Sequence, residues 1–200
     1  MVQWRQGCVD RHWGGMNRTA NKSNCIVLVG LSGAGKSTVG RYLSLKLNYP
    51  LCDTDAIIES EAGQSASAIF AARGETAFRA LESDVLQRVM SAPPVVVATG
   101  GGIVTVAENR TLMKTHAFVV WLDATTNAIV TRITNHRQVR PLLQGDNPHA
   151  RLDEMRRARA ALYRSVADLH MLTDGIHASA VATRIAMLLP SRPPPLEEES

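Results

Sequence analysis

The stretch "GLSGAGKST", residues 30–38, constrains the fold of this 200-residue chain more than any other feature. It satisfies the pattern G-x-x-x-x-G-K-[ST] in full and directly follows "CIVLV", an apolar run that reads as a strand. Glycines allow backbone N–H groups to converge on a phosphate, and the positive end of the following helix adds to the attraction. A glycine-rich turn with a chance lysine is the alternative. The position between strand and helix favours a site for a nucleoside triphosphate with magnesium.

Short valine-rich runs recur along the chain and predict strands that are buried on both faces, as in a parallel sheet. The candidates are residues 25–29, 94–99 and 118–122, with weaker ones at 169–173 and just before Asp53. The segments between them show helical spacing of apolar residues, most clearly at 36–48, 75–90 and 178–189. This alternation predicts a doubly wound α/β fold, which binds its ligands beyond the carboxyl ends of the strands.

Composition narrows the class of protein. The net charge of +4 is modest, and no dense basic block with interleaved aromatic residues is present, which argues against nucleic acid as a partner. No run approaches eighteen consecutive apolar residues, so no membrane span is predicted. The three cysteines are widely spaced and match no metal or redox pattern. We expect a monomeric protein of the cytoplasm.

The chain divides into three parts by composition. Residues 1–23 lack apolar periodicity and are expected to form a disordered or loosely ordered extension. Residues 24–190 contain the domain, and the proline-rich, acidic residues 191–200 are expected to form a disordered tail. Within the domain, the polar stretch at about 136–150 has the composition of a mobile lid.

Two carboxylates follow the weak strand, in "DTD" at residues 53–55. Alternation along an extended chain predicts that Asp53 and Asp55 face a common space, where their charges repel unless a cation or donor groups occupy it. An Asx-type turn that leads into a helix is the alternative. Beside a triphosphate site, we expect Asp53 to serve Mg²⁺ and Asp55 to accept the hydrogen of an acceptor hydroxyl. In the same site, Lys36 is expected to contact the phosphates and Ser37 to ligate Mg²⁺.

Candidates for binding the acceptor lie further along the chain. Arg79 stands in the first turns of an amphipathic helix, where a surface pair with Glu75 is the alternative role. The triglycine at 100–102 follows a buried strand, where backbone can approach a ligand closely, and a flexible turn is the alternative.

Two further arginines stand near the lid and after it. Arg140 could fold over the triphosphate, with a solvated loop arginine as the alternative. Arg159 belongs to a basic helical stretch at 156–164, which could equally be a face in solvent.

Together, these segments resemble the shikimate kinase family. The motifs that carry the resemblance are "GKSTVGRYL", "DTDAIIE", "GETAFRALE", "ATGGGIV", "RPLL" and "RAALY", in this order over about residues 25–190. The phosphate-binding loop is shared by many enzyme families, whereas the other motifs in combination are far more specific.

The resemblance implies a P-loop NTPase fold of the nucleoside monophosphate kinase type, with a five-stranded parallel sheet flanked by helices and a mobile lid. It implies an ATP-dependent kinase that phosphorylates the 3-hydroxyl of shikimate, with Asp55, Lys36 and Arg140 as catalytic residues. The implied ATP-binding residues are Gly33, Ala34, Gly35, Lys36, Ser37, Thr38 and Arg140. The implied shikimate-binding residues are Asp55, Arg79, Gly101 and Arg159, and Ser37 and Asp53 would hold Mg²⁺.

Some questions remain open at the level of sequence. Arg132, His136 and Arg137 all stand near the lid, and any of them could contact adenine. A kinase for another polyol acid such as gluconate would share the phosphate-binding loop, although not the combination of "DTD", triglycine and two arginines. A catalytically idle module that senses a metabolite is a third interpretation, against which the intact Lys36 and Asp55 argue.

Overall fold

The computed structural model describes residues 22–135 and 147–190, and five parallel strands form one sheet in this part of the chain. The strands are β1 (Cys25–Val29), β2 (Leu51–Asp53), β3 (Val95–Ala98), β4 (Phe118–Asp123) and β5 (Leu169–Leu172). Their order across the sheet is β2-β3-β1-β4-β5. The predicted doubly wound fold is confirmed, and the apolar runs in the sequence locate all five strands within one residue at each end where a range was predicted.

Helices connect the strands on both faces of the sheet. They are α1 (Lys36–Leu47), α2 (Thr54–Ala62), α3 (Ala66–Met90), α4 (Ala107–His116), α5 (Thr126–Asn135), α6 (Pro148–Val166) and α7 (Ala178–Leu188). Short 3₁₀ helices form at Lys22–Asn24 and Ile103–Thr105. Helix α3 begins earlier than the predicted start at residue 75, but Gly74 has φ 76° and ψ 172°, so the backbone breaks there. The predicted helix is therefore the regular second part of α3.

The sheet separates two apolar cores because side chains alternate along each strand. In β1, Cys25, Val27 and Val29 face the core that includes residues of α3 and α6. Ile26 and Leu28 face the other core, which includes residues of α1 and α7. Both sets are almost fully buried, which explains why the strand reads as a continuous apolar run rather than an alternating one.

The register of the central strands brings three loops to one edge of the sheet. Leu28 of β1 and Asp53 of β2 both align with Ala98 of β3. The backbone N–H of Thr99 then donates to the carbonyl of Leu28 at 3.2 Å, and its hydroxyl donates to the same oxygen at 2.9 Å. The loop after Val29, the start of α2 and the triglycine turn therefore leave the sheet side by side.

Parts of the sequence prediction lie outside the described residues. These are residues 1–21 of the extension, the lid residues 136–146, and the tail at 191–200. Residues 148–150, at the end of the predicted lid range, form the first turn of α6, where the Asn147 side chain accepts a hydrogen bond from the N–H of Ala150 at 3.0 Å. None of the helices in residues 22–135 and 147–190 combines the length and apolar character needed to cross a membrane.

Helix α1 offers a matched test of the core. Leu43 is fully buried against the sheet, while Leu45 on the same helix is 80% exposed. We expect Leu43→Ala to lower the free energy of unfolding by about 2–5 kcal/mol, because it leaves a cavity in a packed core. Leu45→Ala should change it by less than about 0.5 kcal/mol. Urea unfolding of both variants measures this difference, and equal losses would contradict the assigned orientation of α1.

Candidate active site

The loop between β1 and α1 adopts backbone conformations that require glycine. Gly30, Gly33 and Gly35 have φ angles of 142°, 87° and 95°. At Gly30 the reason is also steric, because a Cβ atom there would lie 2.1 Å from the carbonyl oxygen of Leu122. The loop ends at the N-terminus of α1, whose first residues are Lys36, Ser37 and Thr38. This is the arrangement that the sequence motif predicts for holding phosphate oxygens.

Lys36 folds back over its own loop. Its Nζ donates hydrogen bonds of 2.8 Å each to the carbonyl oxygens of Gly30 and Leu31. The side chain is only 7% exposed, so a cationic group is held inside the loop. A phosphate bound here would meet this charge at short range and with little competition from water.

Asp53 joins the loop to the next strand. Its Oδ2 accepts a 2.6 Å hydrogen bond from the hydroxyl of Ser37, and its Oδ1 accepts one of 3.3 Å from the N–H of Ala56. The second bond caps α2, so the turn predicted as the alternative role is present as well. The first bond places a hydroxyl and a carboxylate together beside the loop, and both are ligand types that Mg²⁺ prefers.

Asp53 and Asp55 do not share a face through alternation along an extended chain, as the sequence predicted. Strand β2 ends at Asp53 and α2 begins at Thr54, so Asp55 lies in the first turn of a helix rather than on an extended chain. The two charges are still close enough to interact, and the negative charge of Asp53 raises the pKa of Asp55. Their proximity comes from the turn between strand and helix.

Asp55 has the most perturbed carboxylate among the predicted site residues. Its Oδ1 is buried and has no hydrogen-bond partner within residues 22–135 and 147–190. Burial, followed by the negative charges of Asp53 and Glu82, raises its pKa from 3.8 to about 6, and Lys36 acts in the opposite direction. Such a perturbed group in a cleft is a candidate for proton exchange with a ligand.

Arg79 is held by two glutamates on its own helix. Its Nη1 donates to Oε2 of Glu82 at 2.5 Å, and its Nε and Nη2 donate to Oε1 of Glu75 at 3.2 and 2.9 Å. The surface pair with Glu75 is therefore formed, but Arg79 also turns inward to Glu82, which is 1% exposed. A Cβ atom on Gly102 would lie 2.1 Å from Nη1 of Arg79, so a larger residue there would displace the guanidinium from this position.

Glu82 was not among the residues predicted from the sequence. Its signal was its position three residues after Arg79, among the apolar residues Phe78, Leu81 and Val85 that mark the buried face of α3. A carboxylate at such a position needs a partner. Burial raises its pKa, and the charges of Arg79 and Arg159 oppose that shift.

The triglycine turn connects Asp55 with the arginines. Its Gly100 donates through N–H to the Thr54 hydroxyl at 3.1 Å, and a Cβ atom there would lie 2.7 Å from Oδ1 of Asp55. The carbonyl of Gly101 accepts hydrogen bonds from Nη1 of Arg159 at 3.3 Å and from the hydroxyl of Tyr163 at 2.5 Å. The turn therefore lies in contact with both arms of the acceptor site that the sequence predicts.

Of the residues in or near the lid that the sequence offers as contacts for ATP, only Arg132 lies within the described residues. Arg140, His136 and Arg137 lie outside the described residues. Arg132 lies inside them and contacts the edge of the phosphate-binding loop. It donates to the Gly33 carbonyl at 3.4 Å and to the hydroxyl and carbonyl of Thr173 at 2.9 and 2.6 Å.

Comparison with known proteins shows that the chain is similar to shikimate kinases. A family model described as shikimate kinase matches residues 32–190. The chain is 44% identical over 182 residues to a shikimate kinase from Halorhodospira halophila, covering 91% of this chain and 98% of the relative. It is 41% identical over 173 residues to one from Vibrio parahaemolyticus, covering 86% and 99%.

Solved structures that are similar to this chain include shikimate kinases as well. The fold is similar to the shikimate kinase of Acinetobacter baumannii in complex with shikimate, with a TM-score of 0.79 and 39% identity over 82% of this chain and 92% of that one. It is also similar to the shikimate kinase of Bacteroides thetaiotaomicron, with a TM-score of 0.78 and 30% identity over 82% and 97% of the two chains.

The Asp55 carboxylate should destabilise the ligand-free fold. Because its folded pKa is raised to about 6, the folded protein holds this proton more tightly than the unfolded chain does. The resulting cost is absent below the unfolded pKa and grows as the pH rises to the folded value. We expect Asp55→Asn to raise the free energy of unfolding by about 2 kcal/mol at pH 7.5, and by less at pH 5.

Denaturant unfolding at both pH values measures this effect. Asp84→Asn is the matched control, because Asp84 is an exposed carboxylate that pairs with Arg88 on α3 at 3.0 Å. Its loss should change stability by less than about 1 kcal/mol. A destabilising effect of Asp55→Asn at pH 7.5 would contradict the assigned environment.

Proposed function

The chain belongs to the shikimate kinase family, and from this premise we propose how its site transfers the γ-phosphoryl group of ATP to the 3-hydroxyl of shikimate. The product, shikimate 3-phosphate, belongs to the pathway to chorismate and the aromatic amino acids. One observation carries the assignment of the site. The buried carboxylate of Asp55 interacts electrostatically with Lys36 of the phosphate-binding loop and with Glu82, the partner of Arg79, so one carboxylate is close to both the donor side and the acceptor side.

On the donor side, the loop and the first turn of α1 hold the triphosphate. Residues 33–38 supply backbone N–H groups and the positive end of the helix dipole. Lys36 already lies in the loop, held by two carbonyls, so binding requires a local exchange of hydrogen bonds rather than a large movement. Its positive charge offsets charge that develops on the phosphoryl oxygens during transfer.

Ser37 and Asp53 would hold Mg²⁺. The 2.6 Å contact between their oxygens shows that both reach one point beside the loop, and Mg²⁺ is commonly bound by one or two protein oxygens together with phosphates and water. When bound, the ion neutralises charge on the triphosphate.

On the acceptor side, Arg79 and Arg159 bind the carboxylate of shikimate. A guanidinium offers a planar fork that matches a carboxylate with two hydrogen bonds. Glu82 is buried and keeps Arg79 in place, whereas the Glu75 side chain is 58% exposed and can be replaced by the substrate. The backbone of the triglycine turn and Asp55 then contact the ring hydroxyls.

Transfer depends on alignment. Asp55 accepts the hydrogen of the 3-hydroxyl and directs its oxygen at the γ-phosphorus, and a pKa near 6 allows it to take the proton close to neutral pH. The reaction passes through a loose transition state, so positioning and charge neutralisation contribute most of the acceleration. A further cation from Arg140, a monomeric state and a cytoplasmic location remain predictions from the sequence.

A coupled assay of ADP release tests the function. With magnesium and ATP, we expect ADP release with shikimate and none above background with gluconate. In Asp55→Asn, ATP binding should be nearly intact while turnover falls by about 10²-fold or more, because the acceptor oxygen loses its base. Near-normal turnover in this variant would remove Asp55 from the mechanism, and gluconate-dependent ADP release would indicate a different substrate.

A substitution of Arg79 tests whether this residue binds the carboxylate of shikimate. We expect Arg79→Lys to raise KM for shikimate by about 10-fold or more, with KM for ATP within about twofold, because lysine keeps the charge but loses the paired hydrogen bonds. Arg88→Lys is the matched control on the same helix, since Arg88 forms a paired contact with Glu61 at 2.9 and 2.8 Å on the surface. Equal effects of Arg79→Lys on both substrates would contradict the carboxylate site.

A further inference from the structure

Tyr163 is a buried residue that reaches the active site without lining it. It lies on α6 one helical turn after Arg159, and only 1% of it is exposed. Its hydroxyl donates a hydrogen bond of 2.5 Å to the carbonyl oxygen of Gly101. Arg159 donates to the same oxygen at 3.3 Å, so two residues on one face of α6 share a single backbone acceptor.

This carbonyl controls the direction of the next N–H group. In a trans peptide the C=O and N–H groups point in opposite directions, so holding the Gly101 oxygen toward α6 turns the Gly102 N–H away from it. Gly102 packs directly against the guanidinium of Arg79, so the direction of this peptide bears on the acceptor side. A glycine peptide would otherwise rotate freely, because no side chain restricts it.

The two donors are not equivalent. Arg159 is half-buried and, under the proposed function, it must also bind the carboxylate of shikimate. Tyr163 makes the shorter bond to the Gly101 carbonyl, and the Arg159 side chain also interacts with the Tyr163 hydroxyl. Burial raises the pKa of Tyr163 to about 12, so its hydroxyl keeps its hydrogen throughout the neutral range.

The ring of Tyr163 is fixed by stacking. It lies 5.8 Å from the ring of Trp121 at an interplanar angle of 26°, and Trp121 in turn stacks on His170 at 4.1 Å and 21°. Trp121 belongs to β4, so the phenol is braced against the sheet itself. The stacked ring therefore holds the hydroxyl in a fixed position for its hydrogen bond to the Gly101 carbonyl.

We propose that Tyr163 is a positioning residue for shikimate. Through the Gly101 carbonyl it holds the triglycine turn in its binding conformation and allows Arg159 to leave that carbonyl for the substrate carboxylate. This inference rests on the proposed function. Because two residues of α6 hold the Gly101 carbonyl, we expect a larger effect on shikimate than on ATP, although the Gly101 backbone also packs against the phosphate-binding loop, where a Cβ atom on Gly101 would lie 3.2 Å from the backbone N of Ser32.

Steady-state kinetics of Tyr163→Phe test the proposal. The variant keeps the ring and its stacking and removes only the hydroxyl. We expect KM for shikimate to rise about 3- to 10-fold, the change that loss of one hydrogen bond produces, while KM for ATP stays within about twofold. Separate titrations of shikimate and of ATP by calorimetry should show the same selectivity in Kd.

Tyr49→Phe is the matched control. Tyr49 is also a buried tyrosine whose hydroxyl donates to a side chain, Oδ1 of Asn24 at 3.3 Å, but it belongs to the core on the other face of the sheet. Its loss should leave both KM values unchanged, even if Tm falls.

Each other outcome has a clear meaning. Equal changes in both KM values, an unchanged KM for shikimate, or failure of Tyr163→Phe to fold would assign the hydroxyl to the fold and overturn the proposal. If the unchanged protein releases no ADP with shikimate, the proposed function fails instead, which the same assay distinguishes.

Discussion

The parallel register of β1, β2 and β3 is the constraint on which the site depends. Because Leu28 and Asp53 both align with Ala98, the chain leaves three strands at the same level. As a result, three segments lie side by side: the glycine loop, the acidic start of α2 and the triglycine turn. Each segment alone is a short polar connection with little structure of its own. Their shared edge converts three connections into one cleft, as expected for the carboxyl ends of a parallel sheet.

Among the buried charged groups in this cleft, Asp55 differs from Glu82 and Lys36 in its hydrogen bonding. Glu82 is buried but paired with Arg79, and Lys36 is buried but held by two carbonyls. Asp55, by contrast, has a buried oxygen with no partner in the described part of the chain. A carboxylate in this state costs stability in the free protein and is ready to accept a hydrogen from a ligand. Sites that serve a reaction commonly retain such a cost.

Several site residues could be predicted from the sequence because their roles depend on local pattern. The glycine loop, Lys36 and Ser37 follow from a motif whose geometry is contained in nine residues. Arg79 was recognisable from its place in an amphipathic helix together with the other motifs. Asp55 was expected to share a face with Asp53 through alternation along a strand, but the strand ends at Asp53 and Asp55 lies in the first turn of α2. Glu82 and the Tyr163 contact were not predicted. The place of Glu82 on the apolar face of α3 was a signal that went unused, whereas nothing in the sequence places Tyr163 beside the triglycine turn.

The sequence by itself determined the fold class, the order of the elements and the phosphate-binding loop. Apolar period, glycine conformation and short motifs act over neighbouring residues, so they can be read along the chain. Only the tertiary structure decided that Glu82 turns Arg79 inward, that Oδ1 of Asp55 has no hydrogen-bond partner among the described residues, and that Tyr163 reaches Gly101. The Tyr163 contact joins two different elements, and the burial of Glu82 and of the Asp55 oxygen depends on how the helices pack on the sheet, which no local pattern records.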